Sequence, residues 1–309
     1  MIGATNFVKK RLFPWRVQFT SLHQEYLIFL ILVLPNLTLF AIWTYWPFIQ
    51  SIYLSFTNWN PLNPVKTFVG LDNYIRLFTQ PIFWQVLFNT VVFTVGVLTI
   101  RLTLSLGLAV LLNQKLAALG FWRLIYFSPH ITTSAAMALV WLTIYDPVHG
   151  PLQAIFEAFG AEFPNVLDST LLALPALMVV DIWRGLGYST IVFLAAMQGV
   201  DREIKDAAEV DGANGWQMFR HITLPAISPV TYFLIVTGLI GLFRTFNLVQ
   251  IMTGGRPLNA TNLYVFYLYR EAFHFQKFGY ASAVAVVMVI LIMAFTYLQT
   301  RAAEKWVHY

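Results

Sequence analysis

The stretch Asp201–Pro225, DREIKDAAEVDGANGWQMFRHITLP, is the most charged internal segment of this 309-residue chain. Its helix propensities predict a helix over residues 202–211, and Gly212 is a residue type that favours a helix end. Asn214-Gly215 predicts a turn, and residues 216–223 predict a second short helix before Pro225. Propensity alone therefore indicates a helix–turn–helix on the surface of the protein.

The sequence on both sides of this segment is apolar. Apolar residues make up 58% of the chain and charged residues only 11%, whereas soluble domains average about 25% charged residues. A surface of that composition cannot face water, so the sequence predicts a membrane protein and excludes a soluble enzyme. The net charge of +5 then reflects membrane topology and not nucleic-acid binding. The absence of cysteine excludes disulfides and cysteine-ligated metals.

Six apolar runs are long enough to cross a bilayer, which takes about 20 helical residues. They are too long for the strands of a membrane barrel, which have about 10 residues each. The predicted fold class is therefore all-α, a polytopic membrane protein with six transmembrane helices. The predicted spans are Tyr26–Gln50, Val86–Leu112, Leu124–Tyr145, Leu171–Met197, Ala226–Met252 and Ala281–Thr300.

Basic residues at the ends of these runs predict the orientation. With the N-terminus inside, eleven Lys and Arg lie on the inner side and five on the outer side, which the positive-inside rule favours. Both termini and the loop 201–225 are then cytoplasmic. The predicted organisation is a cytoplasmic segment 1–25, a six-span domain 26–300 and a cytoplasmic tail 301–309. The first run is too long for a cleavable signal peptide and lacks a small-residue cleavage site, so we expect it to be retained.

The sequence lacks the motifs of common catalytic sites. It contains no Gly-x-x-x-x-Gly-Lys-Ser/Thr loop for ATP, no His-Glu-x-x-His zinc motif and no Gly-x-Ser-x-Gly nucleophile turn. The six histidines do not have metal-ligand spacing, and Asp181 is the one carboxylate predicted to lie deep in the membrane. General acid–base chemistry would need a second group beside it. We therefore expect no catalytic residues, no metal site and no cofactor in this chain.

The segment quoted above resembles the signature loop of ABC-importer permeases, known as the EAA motif. That pattern is Glu-Ala-Ala, three residues, Gly, nine residues and Ile-x-Leu-Pro. This chain has the same spacing, with Asp206 in place of Glu, which keeps the charge and shortens the side chain by one methylene. The matching residues are Asp206-Ala207-Ala208, Gly212 and Ile222-Thr223-Leu224-Pro225.

Other short stretches resemble the carbohydrate-type members of that family, and the likeness extends from Tyr26 to Arg301. The overall resemblance is to the permeases of sugar and glycerol-3-phosphate importers. The stretches are Phe68-Val69-Gly70-Leu71-Asp72-Asn73-Tyr74, Asn89-Thr90, Trp183-Arg184, Thr253-Gly254-Gly255 with Pro257, and Phe278-Gly279-Tyr280.

The resemblance implies a type I ABC importer permease fold in a prokaryotic cytoplasmic (inner) membrane. It also implies partners: a second permease subunit, two cytoplasmic ATP-binding subunits that hold ATP and Mg²⁺, and an extracytoplasmic solute-binding protein. The loop 201–225 would dock on an ATP-binding subunit as a coupling helix; a loop that is only solvated is the alternative. The implied ATPase-coupling residues are Asp206, Ala207, Ala208, Glu209, Asp211 and Gly212.

Ionisable residues within the predicted spans are candidates for the solute path, because each costs about 2.5–3.5 kcal/mol on membrane-insertion scales. Asp181 and Arg184 lie three residues apart, so they either neutralise each other or contact the solute. Arg101 has no partner nearby in the sequence. It would meet either the sister permease or an anionic solute.

A polar stripe on the predicted fifth span adds further candidates. Arg244, Asn247 and Gln250 recur at helical spacing beside Phe243, and amides, a cation and an aromatic ring suit a sugar. Hydrogen bonding between helices explains the same stripe without a solute. The candidates for the solute path are Arg101, Asp181, Arg184, Phe243, Arg244, Asn247 and Gln250.

The predicted function is the transmembrane permease subunit of an ATP-driven importer that translocates a sugar or related polyol. A phosphorylated polyol is an alternative solute within the same architecture. A gradient-driven transporter and a membrane enzyme are alternatives of other classes. The sequence shows neither the inverted repeats typical of the first nor the catalytic groups of the second.

Overall fold

A computed structural model describes residues 22–63, 65–114 and 119–307 of the chain. Within these ranges the chain is helical and contains no β-strand, only two isolated bridges. Residues 1–21 of the predicted cytoplasmic segment 1–25 lie outside the described residues. Several basic residues used to predict the orientation, including Lys115, lie outside them too.

The chain divides into two compact units, of which the first ends at Gln50. Its helix α1 covers Leu22–Phe40, a π-helical turn follows at Ala41–Tyr45, and α2 covers Trp46–Ser55. Residues 26–55 are apolar and long enough to cross a membrane, and most of their large apolar side chains are exposed. A helix with apolar side chains all round is typical of a lipid or subunit environment rather than water.

The second unit contains the remaining helices. They are α3 (Asp72–Thr79), α4 (Pro81–Leu112), α5 (Leu119–Ile131), α6 (Ser134–Ile144), α7 (Pro151–Ala158), α8 (Ala173–Gln198), α9 (Arg202–Val210), α10 (Gly215–Met218), α11 (Leu224–Ala226), α12 (Ser228–Phe243), α13 (Asn247–Met252), α14 (Tyr264–Tyr269) and α15 (Phe278–Ala303). Two π-helical turns, Phe219–Thr223 and Arg270–His274, continue α10 and α14.

Four helical segments in the described chain have the length and apolarity of a span: residues 26–55, α4, α8 and α15. They correspond to the predicted first, second, fourth and sixth spans. The prediction of single helices for the third and fifth spans is wrong. The third breaks at Thr132-Thr133, because Thr133 leaves the helix and its hydroxyl accepts the Ala136 N–H at 3.3 Å, a new N-cap. The fifth breaks at residues 244–246 and bends by 60° near Ile227. The count of six spans stays a prediction.

The core of the second unit is built on the parallel pair α4 and α8. Arg101 faces Asp181, and four residues further on the Ser105 hydroxyl donates to the Leu186 carbonyl at 3.0 Å, so both helices run in one direction. One apolar cluster surrounds the carboxyl ends of this pair, and another surrounds the start of α4 with α14 and α15. We call these the Asp201 end and the Asp72 end of the bundle. A third cluster fills the space between them.

Two of the motif stretches close the Asp72 end. The Asn73 amide donates to the Ser55 and Thr57 carbonyls at 2.8 and 2.9 Å, and Gly279 donates its N–H to the Trp59 carbonyl at 3.0 Å. A Cβ on Gly279 would collide with the Thr57 carbonyl, so glycine is required there by close approach. These residues therefore tie the start of α15 to the chain before α3.

A third motif stretch holds the long connection between α13 and α14. The Asn89 amide donates to the Asn259 carbonyl at 2.8 Å, and the Thr90 hydroxyl accepts the Tyr264 N–H at 2.9 Å. Within the connection, the Thr253 and Thr261 hydroxyls share a hydrogen bond of 2.8 Å. Asn89-Thr90 is thus an anchor for irregular backbone whose polar groups would otherwise lack these partners.

We expect Gly187→Ala to lower the thermal unfolding midpoint of the detergent-solubilised chain. The added methyl group would meet the Tyr126 carbonyl where α5 crosses α8, and overpacking of this kind costs about 1–3 kcal/mol. Tryptophan fluorescence during heating measures the midpoint. Gly107→Ala is the matched control, because its methyl group has no other atom within 4 Å. Equal midpoints for the two variants would contradict the close contact between α5 and α8.

Candidate functional site

A buried carboxylate with two guanidinium partners lies in the middle of the bundle. Asp181 Oδ1 is 3.5 Å from Arg101 Nη1, and Asp181 Oδ2 is 3.7 Å from Arg184 Nη2. The side chains are 6%, 12% and 31% exposed for Asp181, Arg101 and Arg184, so the contact joining α4 to α8 is the more buried one. The predicted pairing of Asp181 with Arg184 is present, and Arg101 completes an ion cluster that sequence spacing alone could not show.

Glycines on two helices make room for Arg101. A Cβ on Gly185 would lie 2.6 Å from Arg101 Cδ, and a Cβ on Gly238 would lie 2.9 Å from Arg101 Nη2. Real Cβ atoms do not approach side chains so closely, so α8 and α12 can both border this arginine only because they carry glycine there. The guanidinium is therefore held between α4, α8 and α12.

A cavity of about 210 Å³ opens beside this arginine, lined in part by Asp181, Arg184 and Thr237. His130 also lines it and stacks on Tyr188 with ring centroids 4.9 Å apart. Arg101 Nε and His130 Nδ1 are buried there with no hydrogen-bond partner among the described residues. Unpaired buried donors and acceptors are costly, so the cavity is suited to a polar ligand.

A second cavity of about 160 Å³ adjoins the first at the two broken spans. Asp181 and Arg184 line both cavities, and Arg244 and Phe246 line only the second. Asn247, the first residue of α13, donates to the Ser134 hydroxyl of α6 at 2.9 Å. The interruptions in the predicted third and fifth spans therefore meet at the ion cluster. Irregular backbone within a membrane is tolerated where it borders such a cavity.

The structure places the other solute-path candidates differently. Phe243 lies in the apolar core against Phe295, with ring centroids 5.6 Å apart, and Gln250 lines a separate cavity towards the Asp72 end. Arg244, Asn247 and Gln250 do not share one helix face, because the chain leaves the helix at residues 244–246. The prediction of a continuous polar stripe was therefore wrong.

Sequence reasoning missed His130, Tyr188 and Gly238, which border the cavity. Pro129-His130 within an apolar run was the available signal, since a histidine in a span is a candidate for function. Among the described residues that line the two cavities, three arginines and one carboxylate leave an excess of positive charge. Such a site attracts hydroxyl-rich or anionic solutes.

The loop 201–225 forms a second candidate surface at the Asp201 end. The Asp201 carboxylate accepts the Glu203 N–H at 3.0 Å and caps α9. At its other end, the Ala213 N–H donates to the Ala208 carbonyl at 2.9 Å while Gly212 has φ +79°. This is a Schellman stop, in which glycine supplies the left-handed residue. The predicted helix and its end at Gly212 are confirmed.

The predicted turn at Asn214-Gly215 starts the second short helix. Asn214 and Gln217 form a reciprocal capping box, with hydrogen bonds of 2.9 and 2.8 Å. Lys205 Nζ donates to the Met197 carbonyl at 3.3 Å, which ties α9 to the end of α8. The loop is therefore a fixed structure attached to α8.

The surface of this loop combines exposed acids with exposed apolar side chains. Of the predicted coupling residues, Asp206, Ala207, Glu209, Asp211 and Gly212 are exposed, and Ala208 is buried. Val210 is 88% exposed and Trp216 is 66% exposed, although neither was among the predicted coupling residues. Exposed apolar side chains beside acids are typical of an interaction surface rather than of a solvated loop.

Residues 19–309 match the family of binding-protein-dependent transport system inner membrane components. The chain belongs to this family. It is 33% identical to the probable ABC transporter permease protein YurN of Bacillus subtilis (strain 168), over 85% of this chain and 91% of the relative. It is 30% identical to the sn-glycerol-3-phosphate transport system permease protein UgpA of Yersinia pestis bv. Antiqua (strain Antiqua), over 90% and 95% of the two chains.

A solved structure shares the fold. A chain of a bacterial alginate ABC transporter, crystallised in complex with an alginate pentasaccharide-bound periplasmic protein, superimposes with a TM-score of 0.80 at 22% identity. The likeness covers 92% of this chain and 96% of that one. The predicted family and all-helical permease fold are thereby confirmed. As a member of this inner membrane component family, the chain is a transport subunit and not an ATPase.

The permease has no group of three or more His, Asp or Glu within its described ranges that could hold a metal ion. The ion cluster around Asp181 is the chemically distinctive feature of its membrane region. Since the cluster is charged and buried, its contribution to the stability of the fold depends on all partners being present.

We expect Asp181→Ala to destabilise the permease strongly, because two arginines would lose their counter-charge within the bundle. Removing one partner of a buried ion pair costs about 3–5 kcal/mol. Combining Asp181→Ala with Arg101→Met should recover part of the loss, as a double-variant thermal unfolding cycle in detergent would measure. Glu162→Ala, an exposed carboxylate on a loop, is the control and should leave the midpoint unchanged. Additive effects of the two changes would show that Arg101 and Asp181 do not interact.

Proposed function

We propose that this permease forms the translocation path of an ATP-driven importer for a sugar or related polyol. The observation that carries the proposal is the ion cluster at Asp181, because it opens onto two polar cavities within an otherwise apolar bundle. Charged groups in a membrane bundle are expensive and usually line a solute path. Arg101, Asp181, Arg184, Arg244 and Asn247 would contact the solute.

The named relatives support this class of solute. One of them belongs to an sn-glycerol-3-phosphate transport system, and the permease of similar fold comes from an alginate transporter seen with a saccharide-bound periplasmic protein. By the same likeness, an extracytoplasmic binding protein would deliver the solute to this permease. A second permease would complete the path, and either of the two could hold the solute.

A second candidate solute is anionic, such as a phosphorylated polyol or an acidic sugar. The excess of arginine over carboxylate along the described cavity walls favours it, because a guanidinium binds phosphate or carboxylate with two parallel hydrogen bonds. Arg184 and Arg244 would make most of that contact, because their side chains are more exposed than that of Arg101.

The loop 201–225 would couple the permease to ATP hydrolysis. Two cytoplasmic ATP-binding subunits would hold ATP and Mg²⁺, and one of them would receive α9 in a cleft. The acids Asp206, Glu209 and Asp211 would meet basic groups, while Ala207 and Gly212 would allow close contact. The Asp201 end and both termini would then face the cytoplasm of a prokaryotic cell, with segment 1–25 and tail 301–309 on that side of the six-span domain.

Purification of the permease from its native host in mild detergent tests the assembly. We expect mass spectrometry to identify a second permease, an ATP-binding subunit with a P-loop and a solute-binding protein in the same complex. A permease that comes out alone or as a homo-oligomer under several detergents would contradict the importer and favour a gradient-driven transporter.

Uptake by the reconstituted complex tests the solute class. Proteoliposomes loaded with ATP would be offered ¹⁴C-labelled neutral disaccharides, polyols, sugar phosphates and uronic acids together with the binding protein. We expect Arg184→Gln to reduce uptake of the accepted solute about tenfold or more, because it removes a charge-assisted contact. If Arg184→Gln and Arg244→Gln both transport at the rate of the unchanged permease, the cavities are not the path.

We expect Val210→Asp to abolish co-purification of the ATP-binding subunit and therefore uptake. Val210 is 88% exposed, so the change leaves the fold of the permease intact while placing a charge in the proposed contact. Val148→Asp is the matched control, because Val148 is 67% exposed in the loop after α6. Quantitative immunoblotting of the purified complex gives the ratio of subunits. Normal ratios for Val210→Asp would refute docking through α9.

A further inference from the structure

A larger cavity lies closer to the Asp72 end than the ion cluster. Its volume is about 480 Å³, and it is bordered by α13, α14 and the π-helical turn that follows α14. Four aromatic rings and three polar side chains line it. These are Phe266, Tyr269, Phe273 and Phe275 together with Gln250, Arg270 and His274.

A row of aromatic rings connects this cavity with the inner one. Phe246, which lines the cavity beside Arg184, is 4.9 Å from Tyr269 between ring centroids. Tyr269 is 5.1 Å from Phe273, and Phe273 is 5.5 Å from Phe278. Phe278 is in turn 5.4 Å from Trp59. We call these five rings the aromatic ladder; it runs from the Asp72 end to the break in the predicted fifth span.

Two rings of the ladder, Tyr269 and Phe273, are not packed in the core. Phe273 is 60% exposed and Tyr269 is 36% exposed, and neighbouring Phe275 is 43% exposed. These three side chains line the cavity, so their rings are accessible to a ligand there. Phe246, Tyr269 and Phe273 follow one another at centroid distances of 4.9 and 5.1 Å, which gives a continuous row of aromatic contacts between the two cavities.

One polar side chain of the cavity, that of Arg270, is held in place. Arg270 Nη1 donates to Asn259 Oδ1 at 3.1 Å, and the Arg270 guanidinium lies 5.7 Å from the Phe275 ring centroid. Lys277 lies 5.1 Å from the same ring and 3.7 Å from the buried Glu271 carboxylate. Hydrogen-bonding groups thus stand at fixed positions at the rim of an aromatic wall.

This combination matches the two chemical surfaces of a sugar ring. The axial C–H groups of a pyranose form an apolar face that stacks on an aromatic ring, and its hydroxyls at the rim accept and donate hydrogen bonds. Gln250 supplies an amide and Arg270 a guanidinium at that rim. A purely apolar partner would leave these groups unpaired.

We propose that the 480 Å³ cavity is an entry subsite for one pyranose ring of the transported solute, and that the aromatic ladder guides this ring to the inner cavities. The proposal rests on the proposed import function and adds a stage to it. The solute would first stack on Tyr269 and Phe273 and then pass Phe246 to reach Arg184. The ladder would therefore act after release from the binding protein and before contact with the ion cluster.

The test uses the complete importer in proteoliposomes, with saturating loaded binding protein and the ¹⁴C-labelled sugar that the unchanged complex accumulates. Three variants at one position separate the possible roles: Phe273→Ala, Phe273→Leu and Phe273→Tyr. Each is assayed for uptake, for ATP hydrolysis stimulated by the binding protein, and for subunit ratio in the purified complex.

We expect Phe273→Ala and Phe273→Leu to reduce uptake about fivefold, because loss of a stacking ring costs on the order of 1 kcal/mol and delays the passage of every sugar. Phe273→Tyr should keep uptake near that of the unchanged complex, since it keeps the ring. Stimulated ATP hydrolysis and subunit ratio should be unaltered in all three, because the subsite is not used for assembly.

Phe159→Ala is the matched control, since Phe159 is 85% exposed after α7 and belongs to no aromatic row in the described chain. Normal uptake in Phe273→Leu would overturn the proposal, because an aliphatic side chain keeps the apolar contact and loses the stacking. Loss of ATP hydrolysis or of a subunit in Phe273→Ala would also overturn it and show that the rings bind another protein. Arg184→Gln distinguishes the two proposals. If Arg184→Gln reduces uptake and Phe273→Ala does not, the proposed inner path is supported and the proposed entry subsite is refuted.

Discussion

The fold depends on burying one carboxylate between two arginines inside an apolar bundle. Without its arginine partners Asp181 would be an uncompensated buried charge, and glycine at positions 185 and 238 leaves room for the Arg101 side chain. The distances between α4, α8 and α12 are therefore set by the ion pair of Arg101 with Asp181 and by the absence of side chains at the two glycines. The cavities beside the cluster exist because neither apolar packing nor a second carboxylate fills that space.

The residues that carried the family resemblance serve mostly as structural connections. Asn73 and Gly279 join the chain before α3 to the start of α15, and Asn89-Thr90 anchors the connection after α13. Each of them pairs backbone groups of irregular segments or permits a close approach of two backbones. The stretch around Asp206 is family-like and mostly exposed, which is consistent with a surface that contacts another subunit.

Much of the fold could be predicted from the sequence. Long apolar runs gave α4, α8 and α15, and helix propensity with Gly212 gave α9 and its end. The broken spans were missed because Thr133 and residues 244–246 leave the helix for reasons that lie in tertiary structure, namely the cavity they border. The ion pair with Arg101 was missed because its partner is 80 positions away in the printed sequence, whereas Arg184 lies at helical spacing from Asp181. Phe243 was predicted to line the solute path because it lies beside Arg244 in the sequence. In the structure it packs in the apolar core instead.

The attachment of α9 to α8 has a mechanical consequence. Lys205 donates a hydrogen bond to the last turn of α8, and α8 continues without a break from Ala173 to Gln198. The ion cluster sits on this same rod, about 25 Å from its end at a rise of about 1.5 Å per residue. In the proposed importer a push on α9 would be passed to α8 and would shift Asp181 relative to Arg101. The ion cluster in the middle of the bundle would thus respond to each cycle of ATP hydrolysis.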